Sequence, residues 1–114
     1  MAVIKNQPGG RVAIRTVNTT DTIVVAGNTS VSNIASTGET VVSASIGRIY
    51  WTGACTVARG GTTVFSALVN TSGTWDLASA GMAFNDANTA NVIITATAAT
   101  VVVELTKNPQ SGGA

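Results

Sequence analysis

Apolar and polar residues alternate along most of this chain, and Val, Ile and Thr occupy many of the alternating positions. β-Branched side chains are stiff about χ1 and fit a pleated strand better than a helix. Turn-forming residues recur about every 8–12 residues, a spacing typical of all-β sandwiches and barrels. We therefore expect an all-β fold of about eight strands with no long helix, arranged as a β-sandwich that is jelly-roll-like. The segments predicted to be extended are Arg11–Val17, Thr20–Ala26, Val31–Ala35, Glu39–Ala44, Arg48–Thr52, Cys55–Arg59, Thr62–Val69, Thr74–Ala78, Asn91–Thr97 and Thr100–Thr106.

In two of these segments the distribution of apolar residues over the two strand faces indicates what covers each face. Thr100–Thr106 has apolar residues on one face and Glu104 on the other, which predicts a strand with one wet face. Thr62–Val69 is apolar on both faces, and it follows a two-residue Gly60-Gly61 turn. Because a small sandwich cannot cover both faces of such a strand, we expect a second copy of the chain to do so through Phe65 and Val69, most simply in a homotrimer.

The two ends differ from the middle of the chain. Pro8-Gly9-Gly10 indicates that residues 1–10 form a flexible arm rather than a strand. Residues 108–114 are polar or small and predict a disordered-like tail, which leaves 11–107 as one β-sandwich domain. Deletion of residues 1–10 is expected to leave that domain folded.

Composition and charge exclude several classes of function. The 114 residues suffice for one domain, and the net charge of +1 provides no basic surface for nucleic acid. There is no His and a single Cys, which excludes a Ser–His triad, a Cys-rich zinc site and an internal disulfide. No apolar run approaches the ~18 residues of a membrane-spanning helix, and no secretory signal is recognisable. We expect a non-enzymatic protein without metal or cofactor, made in a cytoplasm and binding neither nucleic acid nor membrane.

Three local patterns suggest chemistry, and each has a simpler explanation. Asn85–Asn91 resembles a calcium loop but lacks the Gly and the final Glu, so we interpret it as an Asx-rich turn. Arg59-Gly60-Gly61 is one RGG triplet, which in a hairpin is a turn beside a surface Arg. Trp51, Trp75 and Tyr50 could stack on a sugar, but the alternation favours both tryptophans in the core.

The acidic side chains and the cysteine also indicate no reaction. A glycosidase needs two facing carboxyl groups, and none of the carboxylates here lies in an apolar neighbourhood. The five are Asp21, Glu39, Asp76, Asp86 and Glu104. Cys55 is interpreted as a small buried hydrophobic residue.

A set of short motifs resembles small virion structural proteins of tailed bacteriophages, in particular those of marine bacteria. The motifs run through most of the chain, and they are structural rather than chemical. They are the Met-Ala-Val-Ile-Lys-Asn start, Ala26–Ala35, Ile49-Tyr50-Trp51, Thr56–Gly60, Val64, Gly73–Leu77, Gly81 and Val101–Lys107.

The resemblance implies a capsid decoration or cement protein on the exterior of the virion, assembled in the host cytoplasm. Its partners would be the major capsid protein and further copies of itself. The ends of the chain would make the contact, through Val3, Ile4 and Lys5 with Arg11 and Arg15. A carbohydrate-binding or host-adhesion module is the alternative, and a small hydrolase is a third class.

Overall fold

Strands make up nearly all the regular structure of this protein. The structure is a computed structural model that describes residues 1–7, 10–76 and 89–109, with the backbone alone at Asn108 and Pro109. The described part contains seven antiparallel strands and no helix, so the all-β prediction is confirmed. The strands are β1 (Ala2–Asn6), β2 (Arg11–Val17), β3 (Thr20–Ile23), β4 (Val41–Arg59), β5 (Thr62–Ala67), β6 (Ser72–Asp76) and β7 (Val92–Pro109).

One sheet joins all seven strands. Five of them are neighbours in the order β1-β2-β7-β4-β5, while β3 also pairs with β7 and β6 also pairs with β4. The two long strands β4 and β7 pair with each other over almost their whole length. β2 and β3 lie end to end along the outer side of β7, while β5 and β6 lie end to end along the outer side of β4. The sheet therefore has four columns of strands, with β1 added at one edge. The two central columns are β4 and β7, and each outer column is divided into two shorter strands.

The gap between β2 and β3 and the gap between β5 and β6 lie at the same level of the sheet, where the sheet makes a transverse bend. Asn18, Gly53, Asn70 and Ala98 all have positive φ, at 51°, 97°, 62° and 48° respectively. Gly53 N–H donates to the Thr71 carbonyl at 2.8 Å, and Asn18 N–H donates to the Ala99 carbonyl at 3.0 Å. Left-handed residues and shifts of register increase twist and bend a strand. The sheet thus changes direction across all four columns at the same place.

The bend brings the two halves of the sheet face to face. Trp75 pairs with Ile49 on one side of the bend, and Phe65 pairs with Val57 on the other. Along a straight β4 these positions would be about 26 Å apart, at ~3.3 Å per residue. The rings of Phe65 and Trp75 are nevertheless only 5.2 Å apart. This folded-over sheet agrees with a sandwich, but the jelly-roll arrangement itself remains a prediction.

A single apolar cluster fills the concave side of the folded sheet. Rows of paired residues run across it, such as Ile14, Val103 and Ile49, and all three are fully buried. Trp51, Phe65 and Trp75 are half-buried at the margin of this cluster rather than central in it. The two tryptophans, which the alternation placed in the core, therefore lie at its periphery.

The predicted strand limits need four corrections. Residues 2–6 are not a flexible arm but strand β1, because they pair with β2 from Ala2↔Arg15 to Asn6↔Val12. The three segments predicted within 39–59 form one strand, since β4 continues through its bulges. The predicted hairpin of Asn91–Thr97 and Thr100–Thr106 is likewise one continuous strand, β7.

The fourth correction concerns Val31–Ala35, which is not a strand. Side chains of this segment hydrogen-bond backbone groups and replace strand pairing. Ser32 Oγ donates to the Val25 carbonyl at 2.7 Å, and Asn33 Oδ1 accepts from Val24 N–H at 2.7 Å. Ser and Asn compete with regular structure in this way.

Candidate interaction surfaces

The five residues predicted to contact a capsid or neighbour lie together on one edge of the sheet. β1 is the outermost strand there, and its pairing with β2 sets Val3 opposite Ile14 and Lys5 opposite Ala13, which lie between Arg11 and Arg15 along β2. All five are exposed, with Val3 at 44% and Ile4 at 52%. We call these residues the β1–β2 edge. Its outer backbone groups pair with no other strand of the described residues, so the edge can accept another strand.

The charge on this edge is positive. Arg11 lies 3.6 Å from Glu104, so part of its charge is compensated within the chain. Lys5 and Arg15 form no ion pair with any described residue. The edge therefore combines two exposed aliphatic side chains with two uncompensated cations.

β1 is attached to the rest of the molecule by a buried polar cluster. Lys107 Nζ donates to Asn6 Oδ1 at 2.6 Å, to Glu39 Oε1 at 2.7 Å and to Ser36 Oγ at 3.1 Å. The side chain of Lys107 is fully buried, and that of Glu39 is 9% exposed. Sequence reasoning missed this cluster because its members are up to 101 residues apart and carry no local signal.

The two residues predicted to contact another subunit have different surroundings. Phe65 packs between Trp51 and Trp75, with ring centroids 4.8 and 5.2 Å apart, so its ring is used within the chain. A bulge in β5 places both Val64 and Phe65 towards the core, which explains the apolar residues on both faces. Val69 is 67% exposed in the loop between β5 and β6, beside Leu68 at 76%. The exposed apolar residues of the segment predicted as Thr62–Val69 are thus Leu68 and Val69.

A shallow groove of about 360 Å³ follows the convex side of the transverse bend. Hydroxyl and amide groups of Thr52, Asn70, Thr71 and Thr97 line it, and no charged residue does. It adjoins a second depression that contains the exposed ring of Tyr50. Such neutral hydrogen-bonding surfaces beside an aromatic ring suit an uncharged polyhydroxyl ligand.

Every described carboxylate lies within 4 Å of a cation. Glu104 and Asp76 both contact Arg48, at 3.5 and 3.0 Å. The hydrogen bond and charge of Asp76 raise the pKa of Arg48 above its usual value. Asp21 contacts the terminal amine at 3.2 Å, and Glu39 pairs with Lys107. Each of these carboxylates is therefore engaged in an ion pair within the chain.

Three further sequence predictions can be placed. Gly60-Gly61 forms the predicted turn between β4 and β5, but Arg59 is buried and donates to the Ala90 carbonyl, so it is not a surface residue. Cys55 is buried as predicted, and desolvation raises the pKa of its thiol. Most of the Asn85–Asn91 loop lies outside the described residues.

Neither a metal site among the described residues nor a known relative indicates what this chain does. Within residues 1–7, 10–76 and 89–109, no three acidic or Cys side chains gather as metal ligands, and no helix could cross a membrane. No protein-family model matches the chain, and neither curated proteins nor solved structures show a significant similarity to it.

Proposed function

We propose that this chain is a non-enzymatic virion structural protein, a capsid decoration protein of the tailed-bacteriophage kind that binds the outside of the head shell. The observation that carries the proposal is the β1–β2 edge, where Val3 and Ile4 are exposed on an outermost strand. The protein would be made in the host cytoplasm and end on the capsid exterior.

The edge suits attachment by strand addition. An extended segment of the major capsid protein would hydrogen-bond to the outer side of β1, and its apolar side chains would cover Val3 and Ile4. Burial of apolar area contributes roughly 25 cal/mol per Å², so two aliphatic side chains supply a useful part of the affinity. Lys5 and Arg15 favour an acidic neighbour, although rim charges add more to association rate than to affinity.

Truncation is a poor test of this attachment. The deletion of residues 1–10 would remove β1, and it would also remove Asn6 from the buried polar cluster. We therefore expect the truncated chain to lose stability, contrary to the expectation from sequence. Single substitutions at exposed positions separate binding from folding.

The test uses Ile4→Asp, with Val31→Asp as a matched control in the connection between β3 and β4. Both positions are exposed, so both variants should fold like the parent. Undecorated capsids are mixed with each protein and sedimented, and the bound fraction is measured in low salt and in about 1 M salt, where the Debye length is ~3 Å. We expect Ile4→Asp alone to lose binding, with a small effect of salt. Equal binding of both variants would remove the β1–β2 edge from the mechanism.

Self-association is a separate part of the proposal. Among the described residues, Leu68 and Val69 are the most exposed aliphatic side chains and lie next to each other, which favours a contact between copies. We expect a homotrimer whose mass falls to that of the monomer in Val69→Asp, as measured by light scattering. A parent protein that scatters as an 11.4 kDa species at micromolar concentration contradicts this.

The groove at the transverse bend favours a second function, binding of a host-surface carbohydrate. Its neutral hydroxyl lining and the adjacent Tyr50 ring are the observations that support it. A glycan array tests this directly, with Tyr50→Ala as the variant expected to lose any signal. Binding that survives Tyr50→Ala would place the glycan elsewhere.

A further inference from the structure

The buried polar cluster contains more than an ion pair needs. Lys107 Nζ contacts a carboxylate, Glu39, and a carboxamide, Asn6, at 2.7 and 2.6 Å. The side chain of Lys107 is fully buried. The buried amine of Lys107 therefore contacts the acyl group of an exposed asparagine, with a carboxylate base beside it.

The other contacts orient the amide of Asn6. Its Nδ2 donates to the Ile34 carbonyl at 3.1 Å, so Oδ1 is the atom that faces Lys107. Ser36 Oγ donates to the same Oδ1 at 3.1 Å. Glu39 Oε1 also accepts the backbone N–H of Ser36 at 2.9 Å, which fixes the carboxylate. Direct hydrogen bonds thus join the amine to a carboxamide and to a carboxylate base, and a hydroxyl donates to the carboxamide oxygen.

We propose that Lys107 and Asn6 form an intramolecular isopeptide bond, with Glu39 as the catalytic base. Glu39 takes a proton from the ammonium of Lys107, and the neutral Nζ then attacks Cγ of Asn6. The Nζ–Cγ bond forms, and the carbonyl electron pair moves to Oδ1. A proton passes from Nζ through the Glu39 carboxyl group to Nδ2. The Cγ–Nδ2 bond then breaks, and ammonia leaves.

The step balances without another reactant. An amine and a carboxamide give a secondary amide and ammonia, and no atom is oxidised or reduced. The ammonia takes the remaining proton of Glu39 and departs as ammonium, which regenerates the carboxylate. Asn6 is itself exposed at the protein surface, so the leaving group can reach solvent.

Three physical effects lower the barrier. The fixed contact replaces a bimolecular encounter, which is worth a large effective molarity. Proton transfer by a positioned carboxylate contributes typically ~10²–10⁴-fold. The hydroxyl of Ser36 donates to the oxygen on which negative charge develops, as a donor in an oxyanion hole does.

The bond would join the first strand of the sheet to the last. Asn6 is the final residue of β1, and Lys107 lies near the end of β7. The inference does not depend on attachment to a capsid, because the reacting groups all belong to one chain. Its test involves no partner.

Intact-mass spectrometry of the purified, folded protein measures the reaction. We expect a mass lower than the sequence mass by one ammonia, and a digest with one branched peptide that joins the Asn6 and Lys107 segments. The full sequence mass after prolonged incubation of the folded protein would overturn the proposal.

Substitutions separate this bond from other losses of ammonia. An asparagine can also lose ammonia by closing a succinimide, which needs no lysine. In Lys107→Met we expect the full mass, and a persistent loss there would show that the ammonia came from succinimide formation and would overturn the proposal. Glu39→Gln should slow the reaction about 10²-fold or more. Equal rates in Glu39→Gln and the parent would overturn the role of Glu39.

One variant keeps an acyl group at position 6 and changes the leaving group. Asn6→Asp retains the Lys107 contact but should release water instead of ammonia, so its product has the same mass as that of the parent. Asn6→Ala keeps the Lys107–Glu39 pair and removes the acyl group, so it should show no loss. Because the branched peptide of the parent decides the matter alone, a variant that fails to fold does not affect the outcome.

Discussion

Gly53 is the position where β4 crosses the transverse bend, and substitution there tests whether the bend is as tight as described. Its φ is 97°, a conformation that L-residues rarely adopt. A Cβ at this position would lie 2.6 Å from the Ala98 carbonyl oxygen and 2.8 Å from Cβ of Ala99. Gly53→Ala therefore has two separate costs, one from the backbone and one from the close approach of β7.

Two other glycines separate these costs. Gly61→Ala meets no atom within 4 Å at an ordinary φ, so we expect a change within about 0.5 kcal/mol. Gly38→Ala also meets nothing, but its φ is 79°, and a left-handed conformation costs about 1–2 kcal/mol. Gly53→Ala adds overpacking of about 1–3 kcal/mol, for a total of about 2–5 kcal/mol. This is a large part of the 5–15 kcal/mol that stabilises a typical domain.

Urea denaturation followed by tryptophan fluorescence provides the measurement. The free energy of unfolding is extrapolated to water for the parent and the three variants, with similar m-values as the condition for comparison. We expect the order of stability Gly61→Ala, Gly38→Ala, Gly53→Ala, from highest to lowest. If Gly53→Ala is no less stable than Gly38→Ala, β4 and β7 do not approach as closely as described, and the argument for a tight bend is wrong.

Two further predictions concern buried polar groups. Oγ1 of Thr16 is buried and has no hydrogen-bond partner among the described residues, so Thr16→Val should raise the free energy of unfolding by about 1 kcal/mol; a loss of stability in urea would indicate an unseen partner. Burial raises the pKa of the Cys55 thiol above its unfolded value, so its contribution to stability is full below the unfolded pKa and is lost as pH rises through the folded pKa. In thermal melts over that alkaline range, Cys55→Ala should show a shallower decline with pH than the parent, and parallel declines would contradict this.

The local patterns predicted the fold class well because they follow from local chemistry. β-Branched residues in alternation favour strands wherever they occur, and β2 has the predicted limits, Arg11–Val17. The Gly60-Gly61 turn was predictable for the same reason, since glycine accepts a positive φ such as the 62° of Gly60 without strain. What depends on residue type and near neighbours could be read from the chain.

The bend and the first strand could not be predicted in this way. Ala98 has a φ of 48° but no sequence feature that distinguishes it from alanines in ordinary strands, so β7 looked like two strands. The pairing of β1 depends on an available edge of β2, which only the tertiary fold provides. Pro8-Gly9-Gly10 indicates a turn, and a turn is compatible with both an arm and a hairpin.

The candidate surfaces were also predictable only in part, where they depend on local sequence rather than on strand pairing. Exposure of Val3 and Ile4 followed from their place near one end of the chain, whereas their alignment beside Arg15 needed the register of β1 and β2. Phe65 was expected on an open face, but the bulge beside it turned the ring inward. Bulges change which face a residue occupies, and alternation alone does not reveal them.

The strand order has a consequence for synthesis on the ribosome. Val12 in β2 pairs with Leu105, and Ile23 in β3 pairs with Val92, so both early strands depend on β7, which follows the other described strands in the chain. Until that strand emerges, the only described pairing open to β1, β2 and β3 is the small β1–β2 hairpin, which alone is marginally stable. Pairings between residues distant in the chain form slowly, and waiting strand edges are prone to aggregate. Only 10% of the residues are charged, so charge repulsion protects those edges weakly until β7 is available. We therefore expect that the yield of folded protein depends strongly on temperature and on the rate of expression.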